Sequence, residues 1–489
     1  MTDDGNEKED NPMKKTLSLI LAVLLLLLPF PSCSKGGNNT TPVSAKADAA
    51  DSGEAGPAET EWPTPDYSDF VMPEETDSLV VYGYGFSSTM LSDAIGIFKK
   101  KYPDVVVDYR AYSEDEYTTV LQTEIPAGRG PDFVFGHIRD IPDTYKAMKT
   151  GLFEDLNPYL ASDHDFDMND YNRAVLDGGL MEGKRPILPL RYSLSMYITS
   201  QENLDDNGLS TEDFLTFDRF CDACLRYHDK NPANHLLQTG GFIGGTVYLR
   251  QLYLDFGFQL VDYQSERAAV DEEPFRRVMD LCSLWYGMGT PDRIDTSWSA
   301  VYNRLCLFLN MNTTDLGCID DAYCLSMYGE TPVFVSVPDP YGGMTAQIDY
   351  YGAIPVGAKN KLNGYRLLKI LLSKEIQLGD ENAASVWDIT PTGYFGFPVH
   401  NPSLKRRLEL IRELLPLYNP RESDEMPEVP EEITVQLYEL TARVTRAVML
   451  PPILQRYLEL EMVPYLNGEK PWSDCYKRFL NTLELYASE

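Results

Sequence analysis

Apolar and polar positions alternate between strand and helix patterns in the chain that starts at residue 78. Residues 78–85, SLVVYGYG, form a short apolar run that ends in glycines and predicts a strand. Residues 87–103 follow with apolar positions 91, 94, 95 and 98 on one helical face, and Pro103 ends that helix. Residues 104–112, DVVVDYRAY, predict a second strand.

A second helix and a third strand complete this pattern. Ser113 and Glu116 have the spacing of a capping box, and residues 127–136, AGRGPDFVFG, predict a turn and a strand. Strand–helix–strand–helix–strand in this short length predicts right-handed βαβ units and a parallel sheet. Since ligands of such sheets bind beyond the carboxyl ends of the strands, we expect Tyr84 and His137 to border a cleft.

The start of the chain predicts export. Lys14 and Lys15 precede an apolar run, 17–30, that is shorter than the roughly 20 residues a membrane-spanning helix needs, which indicates a signal peptide. Ser32 and Cys33 then resemble a bacterial lipoprotein cleavage site, so we predict that Cys33 carries lipid and tethers the chain to the membrane. A plain cleaved signal and a retained anchor are the alternatives. Residues 34–76 are predicted to be a disordered tether, because they hold few large apolar residues.

Composition limits the function further. The 489 residues leave enough chain after the tether for two domains. The net charge of −33 argues against nucleic-acid binding, because such a surface repels phosphate backbones.

The cysteines and the known catalytic patterns point away from an enzyme. Cys221 and Cys224 lie on the apolar stripe of a helix that Thr216 caps, so we predict small core residues rather than metal ligands. We find no nucleotide-binding glycine motif, no HExxH and no GxSxG, and the acidic run 163–170 lacks the glycine and glutamate of a calcium loop. We therefore predict no cofactor, no metal and no catalytic residue.

Several phrases, in order, resemble the extracellular solute-binding proteins of ABC importers, family 1. They are FKKKYPDVVVDY, AGRGPDFVFG, GLFEDLNPYL, KRPILPLRYSLSMYI, the helix around CDAC, YRLLKILLSKEIQ and the C-terminal YLNGEKPWSDCYKRFLNTLELYASE. The resemblance implies an α/β type II periplasmic-binding-protein fold, with two lobes around a cleft and hinge crossovers. It implies lobe 1 at 77–189 and 341–387, and lobe 2 at 190–339 and 391–489.

The same resemblance implies a function. The protein would capture a small solute, with a sugar or oligosaccharide leading, and deliver it to an ABC permease at the outer face of the bacterial membrane. Aromatic rings stack on sugar faces, so the aromatic residues of the expected cleft segments are candidate ligand contacts. With His137, these are Tyr84, Tyr192, Phe242, Trp298, Tyr351, Trp387, Tyr394 and Phe395. An exported carbohydrate-active hydrolase, or a surface lipoprotein that serves as sensor or adhesin, remains the alternative.

Overall fold

A computed structural model describes residues 66–84, 88–137, 140–239, 255–286, 297–310, 315–389, 396–418 and 427–489. Cys33, Phe242, Tyr394 and Phe395 lie outside these residues, as do the predicted signal peptide and most of the predicted tether. Within the described ranges, no helix has the length and apolar character to cross a membrane.

In the described residues, thirteen strands form three sheets. The strands are β1 Ser78–Tyr84, β2 Val106–Tyr112, β3 Phe133–His137, β4 Ile187–Leu194, β5 Met196–Ser200, β6 His235–Thr239, β7 Val261–Asp262, β8 Arg267–Ala268, β9 Cys306–Asn310, β10 Pro332–Ser336, β11 Thr345–Ala353, β12 Phe397–Pro398 and β13 Arg446–Val448. The first sheet has seven strands in the order β12-β4-β11-β3-β1-β2, with β13 also paired to β11. The second has the order β10-β5-β9-β6, and β7 and β8 form a separate hairpin.

Helices surround both sheets. They are α1 Ser88–Lys101, α2 Glu114–Glu124, α3 Thr144–Lys149, α4 Asn157–Ser162, α5 Arg173–Asp177, α6 Gln201–Asn207, α7 Phe217–Lys230, α8 Glu272–Trp285, α9 Ser297–Tyr302, α10 Asp315–Met327, α11 Lys361–Leu372, α12 Lys374–Leu378, α13 Val386–Ile389, α14 Asn401–Tyr418, α15 Glu431–Ala442, α16 Pro452–Leu466 and α17 Trp472–Ser488. Short 3₁₀ helices lie at Met168–Asp170 and Thr211–Phe214.

The local predictions from the sequence agree with these elements. β1 pairs in parallel with both β2 and β3, as the βαβ pattern predicts. Ser113 and Glu116 form the predicted capping box of α2, and the Thr216 side chain caps α7 by accepting from the backbone N–H of Arg219. Cys221 and Cys224 are buried along the inner face of α7.

Two hydrophobic cores hold the fold together. The larger core surrounds the first sheet and extends over one face of the second, where it takes Ile198 and Leu309. The smaller core takes the opposite face of the second sheet, with Tyr197 and Phe308, and adds helices α7, α8, α16 and α17. This division follows from the strand period of two, since neighbouring residues of one strand point to opposite faces.

Candidate functional site

Two chain crossings connect the sheets and lie side by side. Ser195 joins β4 to β5, and residues 337–344 join β10 to β11. The backbone N–H of Val337 donates to the carbonyl oxygen of Ser195 over 2.9 Å, so the two crossings are hydrogen-bonded to each other. A third segment joins them where the Thr445 N–H donates to the carbonyl of Met344 over 3.0 Å. Close crossings between two sheets are the arrangement in which a hinge operates.

Asp339 fixes the turn of the second crossing. Its buried carboxylate accepts from the backbone N–H groups of Tyr341 and Gly343, both at 2.9 Å, and from the Thr345 hydroxyl at 2.6 Å. Three donors on one buried carboxylate keep this turn in a single conformation, because breaking any of them leaves a buried polar group unpaired.

A hydroxyl and a carboxylate meet beside the crossings. The Ser193 hydroxyl donates to Oδ2 of Asp349 over 2.6 Å. Asp349 lies at a β-bulge, where the pairing of β11 with β4 shifts between Ile348 and Tyr350. A bulge turns one extra side chain out of the regular ladder. We call Ser193 and Asp349 the floor pair.

The surroundings of the floor pair raise the proton affinity of the carboxyl. Burial raises the pKa of Asp349 to about 7, and the hydrogen bond from Ser193 opposes that rise only in part. Gly396 approaches so closely that a Cβ on it would lie 2.5 Å from Oδ2 of Asp349. Gly396 also has a φ of 81°, which favours glycine, so both its backbone and its contact require that residue.

His137 ends β3 and pairs with Tyr350 of β11, the residue that follows Asp349. Its ring packs against Tyr350 with ring centroids 5.0 Å apart, and its backbone N–H donates to Oδ2 of the buried Asp140 over 2.7 Å. His137 remains partly exposed. Its neighbours therefore hold it in position, and the residue keeps partial contact with solvent.

A cluster of polar and aromatic side chains connects α3 with the second core. We call it the clasp; its members are Asp143, Tyr145, Lys146, Lys149, Tyr263, Glu266 and Tyr486. The buried Oδ2 of Asp143 accepts from the hydroxyl of Tyr263 at 2.9 Å and from that of Tyr486. Burial raises the pKa of Asp143, while both phenols and the Lys146 N–H oppose the rise.

Cations and rings complete the clasp. The Tyr145 and Tyr263 rings stack with centroids 4.9 Å apart, and Lys146 Nζ lies 3.8 Å from the Tyr486 ring centroid. Lys149 Nζ donates to the carbonyl of Tyr263 at 2.7 Å and pairs with Glu266 at 2.6 Å. Since α3 follows β3 of the first sheet, while Tyr263 and Tyr486 pack on the second core, the clasp joins the two halves of the molecule.

A groove of about 340 Å³ lies next to the clasp. Residues of both halves line it, among them Leu180, Met181, Gln347, Val448 and Leu450. Gln347 is the register partner of Ser193 on β4, so the two side chains point to the same face of the sheet. We call this cavity the hinge groove; its lining residue Gln347 lies two positions before Asp349 on β11.

The structure places the sequence-predicted residues in different environments. Tyr192 and Tyr351 are fully buried, which does not support contact with a solute, and their binding role stays a prediction. Trp298 stacks on Tyr328 with centroids 4.4 Å apart. Trp387 is 53% exposed on α13. Tyr84 ends β1, and its side chain lies outside the described part, like Phe242, Tyr394 and Phe395.

Sequence reasoning missed Ser193, Asp349 and the clasp. Asp143 carried one local signal, because it precedes α3 and caps it by accepting from the Lys146 N–H. Nothing local marks Asp349, whose position depends on a bulge in a long-range strand pair. Across the described ranges, no group of three or more His, Cys, Asp and Glu residues is arranged to hold a metal ion.

Two sheets joined by adjacent crossings, with polar groups at the junction, form an arrangement that permits hinge motion. Residues 79–302 match the family model of the bacterial extracellular solute-binding proteins. The matched segment belongs to family 1 of these proteins, and the resemblance inferred from the sequence is confirmed. Proteins of the matched family bind their substrate without converting it, and the match indicates a solute-binding protein with an extracellular or periplasmic location.

Solved structures of the same class share the fold. The sugar-binding protein MalE from Xanthomonas citri aligns with a TM-score of 0.59 and 13% identity, over 84% of this chain and 97% of that chain. An oligogalacturonide-binding protein from Yersinia enterocolitica gives 0.57 and 15%, over 84% and 98%. An ABC substrate-binding protein from Listeria monocytogenes, in complex with cycloalternan, gives 0.51 and 14%, over 84% and 98%. The predicted α/β solute-binding fold is thus confirmed. At identities of 13–15%, the likeness to these structures supports the fold and not the ligand. No curated protein sequence matches this chain.

Proposed function

We propose that this protein captures a sugar or oligosaccharide between its two lobes and delivers it to a membrane permease. The floor pair carries the proposal. A carboxylate that already accepts one hydroxyl, at the junction of the two crossings, has the chemistry that accepts a hydroxyl of a bound sugar. Sugar-binding and oligogalacturonide-binding proteins share the fold, which supports this ligand class.

The lobes of the proposal follow the sheets in part. Lobe 1 comprises 77–189 and 341–387, and lobe 2 comprises 190–339 and 391–489. The seven-stranded sheet also takes residues 190–194 of β4 as well as β12 and β13, which these bounds assign to lobe 2. Ligand contacts to both lobes favour the closed state, and that state docks on the permease.

The same proposal includes the membrane anchor. Cys33 carries the lipid, and the following residues hold the binding domain away from the membrane. Globomycin, which blocks removal of lipoprotein signal peptides, should cause a larger, unprocessed form to accumulate. The Cys33→Ala variant should be released into the medium, because it cannot accept lipid. If that variant stays in the membrane like the wild type, the lipid anchor is contradicted.

A thermal-shift panel of monosaccharides and oligosaccharides tests the binding function. A cognate sugar at 100-fold excess over Kd adds about 2.7 kcal/mol to the free energy of unfolding. Asp349→Ala should reduce the shift, and Asp104→Asn, at an exposed turn, should retain it. Release of reducing ends from a bound glycoside would instead support a hydrolase. A stabilising sugar whose effect is the same in Asp349→Ala contradicts the role of the floor pair.

A further inference from the structure

The hinge groove lies where the two hydrophobic cores meet. Met181 and Tyr145 pack against the core of the first sheet, and Leu450 and Tyr263 pack against the smaller core. All four line the groove. A ligand in the groove therefore contacts both halves of the molecule.

The walls of this groove are mainly aliphatic. Leu180, Met181, Val448 and Leu450 are all partly exposed there, above the buried Leu260. Partly exposed aliphatic side chains that converge in a concave site gain free energy when an apolar group covers them. A ligand that offers only hydroxyl groups would not gain this free energy, because it has no apolar surface to cover the aliphatic side chains.

The charges around the groove disfavour an anionic ligand. Asp177, Glu182 and Asp262 line it, and Arg446 is the cation among the lining residues that the structure describes. The guanidinium of Arg446 already donates to the carbonyl of Gly257 at 2.8 Å and to the Thr345 hydroxyl at 2.9 Å. An acyl carboxylate would thus meet three acids and a guanidinium that is already engaged.

A polar subsite adjoins this apolar one. Gln347 lines the groove and faces the same side as its register partner Ser193, which donates to Asp349. Gln347 also precedes Asp349 by two residues on β11, so the polar end of a ligand in the groove is placed along this stretch of the strand.

We propose that the solute is an uncharged amphiphile, a glycoside whose hydroxylated head lies at the floor pair and whose alkyl or aryl group fills the hinge groove. The inference rests on the proposed binding function and specifies its substrate class. Because the bound tail touches Tyr145 and Tyr263, it also covers the stacked pair that joins the two halves in the clasp.

A series of alkyl glucosides tests the tail. Methyl, butyl, hexyl and octyl β-glucoside are titrated by calorimetry, below the concentrations at which they form micelles. Affinity should rise about fourfold for each added methylene until the groove is full. Met181→Glu, which puts a charge on the wall, should reduce the gain to less than about 1.5-fold per methylene, and Met181→Leu should keep it.

The outcomes separate the tail from the binding function. A flat series in the wild type, or a slope that Met181→Glu leaves unchanged, overturns the inference. If a plain sugar from the panel binds and Asp349→Ala removes its binding while the alkyl series is flat, the binding function stands and only the amphiphile is lost. Asp349→Asn should lower every affinity of the series by a similar factor and keep the slope; unchanged affinities contradict the head position.

Discussion

The hydroxyl of Ser193 donates to the carboxylate of Asp349 over 2.6 Å, although 156 positions separate the two residues in the chain. The bond joins β4 to the bulge of β11, directly beside the crossings that connect the sheets. It places a proton-sensitive carboxyl beside the chain crossings that connect the two sheets.

The Asp349 carboxyl should make stability depend on pH. Its folded pKa of about 7 is raised above the ordinary value of 3.8, so between these values the folded state binds more protons than the unfolded state. The free energy of unfolding therefore falls as pH rises through that window. Asp349→Asn should exceed the wild type in stability at pH 8 by about 1–2 kcal/mol, after allowance for solvent screening of a partly exposed group, and lose this advantage near pH 4.

Urea denaturation at several pH values measures this difference. Asp104→Asn, at an exposed turn, serves as the charge-matched control and should follow the wild type. A stability difference between Asp349→Asn and the wild type that stays constant from pH 4 to pH 8 would contradict the raised pKa.

Asp132 should be among the most sensitive positions of lobe 1. Its buried carboxylate accepts from the backbone N–H groups of Val80 at 2.8 Å and of Lys359 and Asn360 at 3.0 Å, and from Asn360 Nδ2 at 2.7 Å. In Asp132→Asn, an NH2 group replaces one carboxylate oxygen and faces N–H donors, so hydrogen bonds are lost and buried donors stay unpaired. We expect a loss of about 2–4 kcal/mol in denaturation experiments, against less than about 0.5 for Asp104→Asn. A loss below 1 kcal/mol would show that the network rearranges without cost.

The clasp should favour contact between the lobes. Tyr263→Phe removes the hydroxyl bond to Asp143 but keeps the ring that stacks on Tyr145. The change should weaken the contact by about 0.5–1.5 kcal/mol, seen as a lower transfer efficiency between dyes on the two lobes. Tyr302→Phe, at an exposed tyrosine of α9, is the control. Equal transfer efficiencies in the wild type, Tyr263→Phe and Tyr302→Phe would show that the clasp does not contribute to contact between the lobes.

Trp387 offers a test of the aromatic ligand contacts predicted from the sequence. The side chain is 53% exposed, so Trp387→Ala should change stability by less than about 0.5 kcal/mol. If its ring stacks on a sugar, affinity for the cognate sugar should fall roughly tenfold or more. Calorimetric titration measures the change, and Trp387→Phe should retain most of the affinity. Full affinity in Trp387→Ala excludes this residue from the site.

Local chemistry made part of this fold predictable. The Ser113–Glu116 box, the Thr216 cap and the parallel pairing of β1 depend on residues near one another in sequence, so their patterns are visible in the chain. The position of a ligand cleft at the strand ends stays a prediction from the rule about parallel sheets. Identification of the family needed the order of the phrases as well as the periodicity.

The site itself was less predictable because it depends on long-range register. Aromatic content identified Tyr192 and Tyr351 as candidates, yet the pairing of β4 with β11 turns both rings into the core. The same pairing places Asp349 beside Ser193 through a bulge that no local pattern marks. The direction of a side chain in a sheet changes with one residue of register, and the sequence does not specify that register.

Small-angle X-ray scattering of the purified protein, with and without its cognate sugar, tests the central claim most directly. The hinge account predicts a smaller radius of gyration at saturating sugar, and a smaller response in Asp349→Ala at the same sugar concentration. A radius that stays the same when calorimetry shows the sugar bound would contradict capture by closing lobes.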